Sequence, residues 1–256
     1  DIYSDGLVEE VFGRTLKEIP GMRENILIAT KCGIRQKDDS KKGAPHRYDL
    51  SREHILRSCE ASLRRMGVDC ADLYQLHRPD YLMEPEEIAS AFEELKQAGK
   101  AREFGVSNFT VDQLNHLQAA CPMKLQCNQV EISLIHRNTL EDGSLNHYRR
   151  QAVTPLAWSP LAQGKLGSEY PVTLRNPNHI QEQAVRDALN LVAKEEECSR
   201  TTVALAWLMR HPAGIVPIIG STNPEHIHEA TKAADLQLSR EKWYRLMEAA
   251  AGKPLP

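Results

Sequence analysis

No stretch of 18 apolar residues occurs in this 256-residue chain, so no membrane-spanning helix is expected. No CxxC pair occurs either. The six cysteines stand at 32, 59, 70, 121, 127 and 198, too sparse for a disulfide scaffold. They are expected to be reduced, in a cytoplasmic protein. The ten histidines are scattered without metal-ligand spacing, so no metal is expected. Strong charge of one sign is absent as well: the formal net charge is -3, which gives no footing for nucleic acid or another polyanion. No GxGxxG follows any apolar run, which argues against a doubly wound dinucleotide-binding sheet. The opening lacks both a secretion signal and an initiator Met, and Asp1-Ile2-Tyr3-Ser4 reads like the interior of a protein.

What is present is the alternation of short apolar runs with helical periodicity. Hydrophobic residues make up 41% and charged residues 26% of the chain, and the length suits one domain over residues 1–256. Strands are expected at Ile26–Thr30, Asp72–Leu76, Ala101–Val106, Leu125–Val130, Val153–Trp158 and Gly214–Ile219. Helices are expected at Leu7–Ile19, from the Ser51 cap to Met66, and at Pro85–Gln97, Thr110–Ala119, Leu140–Arg150, Ile180–Glu197, Thr201–Arg210, Pro224–Ala234 and Arg240–Ala251. Strands separated by helices make a parallel α/β structure. The expected architecture is a TIM (β/α)8 barrel. Six strands fall short of eight, so the first β/α elements are expected to be absent, with two strands and a helix preceding Asp1.

Polar residues gather at the C-terminal ends of these runs, the face on which such barrels carry their sites. They are Lys31; His77 with Arg78 and Asp80; Ser107-Asn108; Gln129 with Glu131; Trp158-Ser159; and Gly220-Ser221-Thr222-Asn223 before Pro224. Tyr3 joins them if a strand precedes it. Reducing a carbonyl requires a proton on oxygen. A tyrosine can give it if a nearby ammonium favours the tyrosinate, and a histidine can hold the carbonyl oxygen. Plainer readings stand beside these. Tyr3 could be a packing residue, Lys31 a solvated strand end, His77-Arg78-Asp80 a loop ion cluster, Trp158 a half-buried indole and Ser221–Asn223 an ordinary helix cap. The lysine lacks a clear carboxylate partner; Asp1 and Asp5 are weak candidates.

The stretches Ile28–Gly33, Asp72–Asp80, Gly99–Phe109, Asn128–Glu131, Trp158–Leu161 and Pro217–Ser221, in this order, resemble the aldo-keto reductase superfamily over nearly the whole chain, and in particular the bacterial oxidoreductases of the YdhF type. The resemblance implies a (β/α)8 barrel that binds NADPH without a Rossmann motif and reduces an aldehyde or ketone. In it Tyr3 matches the proton donor, Lys31 the residue that tunes it, and His77 the residue that orients the carbonyl. The family's aspartate falls just upstream of the first residue; Asp1 is out of register for it. Ser107, Asn108 and Gln129 match the carboxamide contacts, and Trp158 the aromatic residue stacked on the nicotinamide. Ser159, Leu161, Gln163 and Lys165 match the loop over the pyrophosphate. Gly220, Ser221, Thr222, Asn223 and His226 match the segment around the adenosine 2'-phosphate. Two departures stand out: Gly220 replaces a common basic residue, and His226 an arginine. NADPH is expected, with NAD possible. A monomer acting on a small-molecule carbonyl is expected. The alternatives are an NADPH-binding redox sensor with little turnover and a Schiff-base lyase using Lys31.

Overall fold

The structure is a computed structural model and describes residues 2–39, 41–170 and 180–255. It falls into two compact units, one up to Asn128 and one from Gln129.

In the first unit, a 3-10 turn over Tyr3–Gly6 leads into helix α1 (Leu7–Glu18). Strand β1 (Ala29–Cys32) follows, then a short antiparallel pair, β2 (Ile34–Arg35) and β3 (Arg47–Tyr48). Helix α2 (Arg52–Met66) starts at the Ser51 side chain, which accepts from His54 N, as expected of a serine N-cap. Strand β4 (Ala71–Leu76), helix α3 (Pro85–Gln97), strand β5 (Ala101–Ser107), helix α4 (Val111–Ala120) and the start of β6 (Leu125–Glu131) complete it. β1 pairs parallel with β4, and β4 with β5. Ile55 and Cys59 of α2, Tyr74 and Leu76 of β4, Phe92 of α3 and Phe104 of β5 are fully buried. The Phe92 and Phe104 rings stack at 4.2 Å; burying each side chain stabilises the unit by about 2–3 kcal/mol.

β1 begins three residues later than the apolar run suggests. The Ile28 amide is taken by the Asp72 carboxylate at 2.8 Å instead of a strand partner, and pairing starts at Ala29 opposite Leu73. Lys31 therefore lies inside the strand, not beyond it.

The expectation that the first β/α elements are absent is corrected. The opening of the chain is built from elements of its own, packed into the unit: Glu9 of α1 accepts from Thr30 at 2.6 Å and from Arg65 of α2 at 2.7 Å. Eight strands are described: six at the places the sequence marks, and a further antiparallel pair, β2–β3, in a stretch whose polar composition reads as loop. Tyr3 opens a turn.

Gly105 of β5 faces Cys127 so closely that an added Cβ would lie 2.4 Å from its Sγ. Gly105→Ala is expected to cost about 1–3 kcal/mol by overpacking, and Cys127→Ala in that background to recover most of it. Urea unfolding of the two variants checks this; equal stability of Gly105→Ala and wild type would refute the tight contact.

The second unit continues with α5 (Asn138–Glu141), α6 (Ser144–Gln151), β7 (Thr154–Trp158), α7 (Ile180–Glu195), α8 (Arg200–Met209), β8 (Val216–Pro217), α9 (Pro224–Thr231) and α10 (Arg240–Ala251). β7 and β8 pair in parallel, Leu156 opposite Val216. The single helix expected over Leu140–Arg150 is two, divided at the left-handed Gly143 (φ 86°). Trp207 of α8 and Trp243 of α10 stack at 5.0 Å. Each indole N–H donates to the other's backbone carbonyl, at 3.1 and 3.0 Å, so buried Trp207 and half-buried Trp243 pack together without stranding a polar atom. Among the described residues no helix is long and apolar enough to cross a membrane.

Candidate active site

The parallel register of the first unit brings three strand ends to one level. Cys32 pairs with Leu76 and Leu76 with Val106, so Lys31, His77 and Ser107 emerge from neighbouring strands. His77 N donates to Cys32 O at 2.8 Å. Asn108, in the left-handed region (φ 61°), donates from Nδ2 to His77 O at 3.4 Å.

Tyr3 reaches this group from the N-terminal turn. Its Oη lies 3.5 Å from His77 Nε2, their ring centroids are 5.8 Å apart, and Lys31 Nζ lies 5.8 Å from the Tyr3 ring centroid. The turn is unusual. Ser4 (φ 49°) and Asp5 (φ 52°) are left-handed, as is Gly6 (φ 90°); for a non-glycine residue this costs about 1–2 kcal/mol each. Such strain persists only where the surroundings fix it. Gly6 has no room for a side chain, since a Cβ would lie 2.6 Å from Arg65 Nε. Arg65 pairs with Glu9, and Glu9 accepts from Thr30, the residue before Lys31. One carboxylate thus ties the Tyr3 turn to the Lys31 strand. Burial works to raise the Glu9 carboxyl, but hydrogen bonds from Thr30 and Arg65 outweigh it and hold it below its ordinary value. Sequence reasoning missed Glu9, which looks like one more polar residue on α1.

Electrostatics limit what each group can do. Burial, then the positive charge of Lys31, pushes the His77 imidazolium down to about 3. The ring is neutral at ordinary pH, so it can hydrogen-bond without carrying charge. Burial also lowers Lys31, partly offset by Cys127. The Cys127 thiol is pushed up to about 12 by its own burial and supplies no permanent anion. Of the weak carboxylate candidates, Asp5 is exposed and Asp1 lies outside the described residues.

Two buried polar atoms, His77 Nδ1 and Ser107 Oγ, have no hydrogen-bond partner among the described residues. Stranded buried groups are costly and rare, so this pair marks a place where a polar ligand belongs. An amide-bearing ring such as nicotinamide, which both donates and accepts, fits that pair. Among the described residues no cluster of three or more His, Cys, Asp or Glu is placed to hold a metal ion.

The second unit carries the remaining candidates. Gln129 is buried near the end of β6 and Trp158 half-buried at the end of β7. The chain then coils tightly: Ser159, Ala162, Gln163 and Gly164 are all left-handed, and Ser159 O and Leu161 O accept from Ala162 N and Leu166 N at 2.8 and 3.1 Å. Leu161 is half-buried, Gln163 is exposed, and Lys165 pairs with Glu182 at 2.8 Å. Before α9, Gly220 and Thr222 are exposed, and a side chain at Gly220 would meet open space. Asn223 caps the helix, accepting from Glu225 N at 2.9 Å. His226 Nε2 meets the Glu169 carboxylate at 2.7 Å, and its Nδ1 lies 3.2 Å from Ser221 Oγ. The sequence signalled His226 as a replacement for arginine; it held no signal for Glu169 as its partner.

Comparison with known proteins places this geometry in a family. The sequence model of the Aldo/keto reductase family matches residues 1–251. The oxidoreductase YdhF of Escherichia coli is 40% identical, over 100% of this chain and 83% of YdhF. A 6-dehydroglucose reductase of Novosphingobium aromaticivorans is 40% identical over 98% of this chain and 77% of its own length. Among solved structures, a thermostable aldo-keto reductase in complex with the inhibitor epalrestat superposes with a TM-score of 0.79 at 29% identity, covering 96% of this chain and 79% of that one. An α/β fold of the TIM-barrel type follows, and with it the identity of the protein: it belongs to the aldo/keto reductase family and is an NAD(P)H-dependent oxidoreductase that reduces carbonyl compounds.

Proposed function

We propose that Tyr3, Lys31 and His77 form the proton-transfer centre and that NADPH is preferred, with NADH tolerated. The observation carrying this reading is the 3.5 Å approach of Tyr3 Oη to His77 Nε2 beside the Lys31 ammonium. When bound, the reduced nicotinamide supplies a hydride to the carbonyl carbon. Tyr3 Oη gives its proton to the carbonyl oxygen as charge develops there, completing the alcohol, and the resulting tyrosinate is reprotonated from solvent. Lys31 favours the tyrosinate electrostatically. Neutral His77 donates from Nε2 to the same oxygen and sets its direction. Ser107, Asn108 and Gln129 would hold the carboxamide, and Trp158 would face the ring. Ser159, Leu161, Gln163 and Lys165 would hold the pyrophosphate, and Gly220, Ser221, Thr222, Asn223 and His226 the adenosine end. For the substrate we propose a hydroxylated aldehyde, the class suggested by the names of two relatives at 40% identity. A monomer in the cytoplasm completes the reading.

Titration with NADPH and with NADH, followed by tryptophan fluorescence, tests the cofactor assignment. Saturable quenching is expected with both, with NADPH about tenfold tighter, a difference of about 1.4 kcal/mol. The gap is small because His226 offers a phosphate less than an arginine fork does, and Glu169 already occupies it. Equal affinities would remove the NADPH preference; no quenching by either would remove the cofactor assignment.

A further inference from the structure

Two adjacent residues of β1 serve opposite faces of the strand, because successive side chains alternate. Lys31 turns to the reacting centre, with Nζ 5.8 Å from the Tyr3 ring centroid. Thr30 turns to the helices, where its hydroxyl donates to Glu9 Oε1 at 2.6 Å. Glu9 stands in the first turn of α1, and its side chain is only 11% exposed. Its neighbour Glu10 is exposed. One of two adjacent carboxylates has thus been drawn inward, away from water, which is unfavourable unless both of its oxygens are well bonded.

The second oxygen is held as firmly as the first. Arg65 Nε and Nη2 lie 2.7 and 2.6 Å from Glu9 Oε2, and Nη2 also donates to Ser62 Oγ at 3.3 Å. The same guanidinium is the surface on which the Tyr3 turn rests, since a Cβ on Gly6 would lie 2.6 Å from Arg65 Nε. Further along α1 there is no slack against α2: a Cβ on Gly13 would lie 2.5 Å from Met66 O. The left-handed run Ser4-Asp5-Gly6 therefore ends on a fixed point, and through Glu9 the Lys31 strand is fastened to that same point. The two supports of the reacting centre share one carboxylate.

We infer that Glu9 and Thr30 are positioning residues for the reduction: their hydrogen bond, with Arg65 behind it, sets how the Tyr3 hydroxyl stands to the Lys31 ammonium, and so the rate of the chemical step. Neither side chain is placed to touch substrate or cofactor. A carboxylate gripped by a hydroxyl on one oxygen and a guanidinium on the other makes a stiff, charge-assisted joint. Loosening such a remote support by about 1 Å can cost about 10²-fold in rate. Thr30 faces away from Lys31 across β1, so the joint acts on the chemistry and leaves cofactor affinity alone. The inference rests on the reading of Tyr3, Lys31 and His77 as the proton-transfer centre made above.

Single-turnover stopped flow tests it, with enzyme in excess over NADPH, glyceraldehyde as the substrate and NADPH fluorescence as the signal. The rate constant reports the chemical step, and the amplitude reports the fraction of competent protein. Thr30→Val keeps the branched shape and deletes the hydroxyl. It is expected to lower the rate constant about 30-fold, with amplitude and NADPH affinity within about twofold of wild type. Thr30→Ser restores the hydroxyl and is expected within about threefold of wild type. Glu9→Gln is expected to slow the step about tenfold or more, and the double variant no further than the slower single. Ile88→Val, on the buried face of α3, is the stability control: it is expected to lower Tm at a wild-type rate constant. A wild-type rate constant in Thr30→Val, or a loss confined to amplitude and Tm, would overturn the inference, as would an equal loss in Thr30→Ser. Tyr3→Phe separates the two claims. If it slows the step and Thr30→Val does not, the proton-transfer centre stands and the positioning role is wrong. If Tyr3→Phe keeps the wild-type rate constant, the centre fails and takes the positioning role with it.

Discussion

Tyr3→Phe is expected to lower kcat/KM for aldehyde reduction by about 10³-fold, within the range for removing a positioned general acid, or about 4 kcal/mol of barrier. The substitution deletes one oxygen. The remaining ring keeps its place 5.8 Å from the His77 ring and from Lys31 Nζ, and Tyr3 is 53% exposed, so folding and cofactor affinity are expected to hold within twofold. The loss should appear in kcat and kcat/KM alike, as it does when an interaction exists only in the transition state. A variant within tenfold of wild type would mean that another group delivers the proton. The pH profile adds an independent check. His77 is held neutral down to about 3 by burial and by Lys31, so kcat/KM is expected to show no break near the ordinary histidine value of about 6.5. A limb there that disappears in His77→Gln would contradict the neutral-histidine role.

Lys31, His77 and Ser107 were legible in the sequence for a simple reason. Each follows or ends an apolar run, and parallel pairing brings such ends to one level. The register delivered that level even though β1 begins later than its apolar run. Tyr3 was legible only as a conditional member of the rim, because nothing in its neighbours' polarity announces a turn with three successive left-handed residues. Features that depend on partners distant in sequence were hidden. Glu9 meets Arg65 across 56 residues, and His226 meets Glu169 across 57; neither pair leaves a local periodic signature. The β2–β3 pair was missed because strands of two residues carry no alternation to read. The mistaken expectation of absent first elements came from setting six strands against the eight of a closed barrel, and from an opening that reads like the interior of a protein.

Asp72 is another residue whose weight only the structure shows. In sequence it opens an apolar strand and looks expendable. In the fold its carboxylate is buried, accepting from Ile28 N at 2.8 Å and Arg23 Nη1 at 2.9 Å on one oxygen and from Arg102 Nη1 at 2.6 Å on the other. It replaces the first rung of the β1–β4 ladder and fastens the chain that leads into Lys31. Asp72→Asn keeps the volume but loses the charge. Because Arg23 and Arg102 remain partly solvated, the cost is expected at about 3 kcal/mol, the lower end for a broken buried pair, or roughly 8 °C in Tm for a chain of this size. Burial works to raise the Asp72 carboxyl, but the Ile28 amide and Arg23 outweigh it, so its folded value lies below the ordinary 3.8. A depressed carboxylate contributes stability that is complete above the unfolded value and is lost as pH falls through the lower folded one. The difference in unfolding free energy between wild type and Asp72→Asn should therefore be constant above about pH 5 and narrow below about pH 4. Exposed Asp69→Asn, its neighbour in sequence, should show neither effect. Denaturant unfolding across pH 2.5 to 7 decides the matter: an undiminished gap at the acid end would mean that shape, not charge, makes Asp72 necessary.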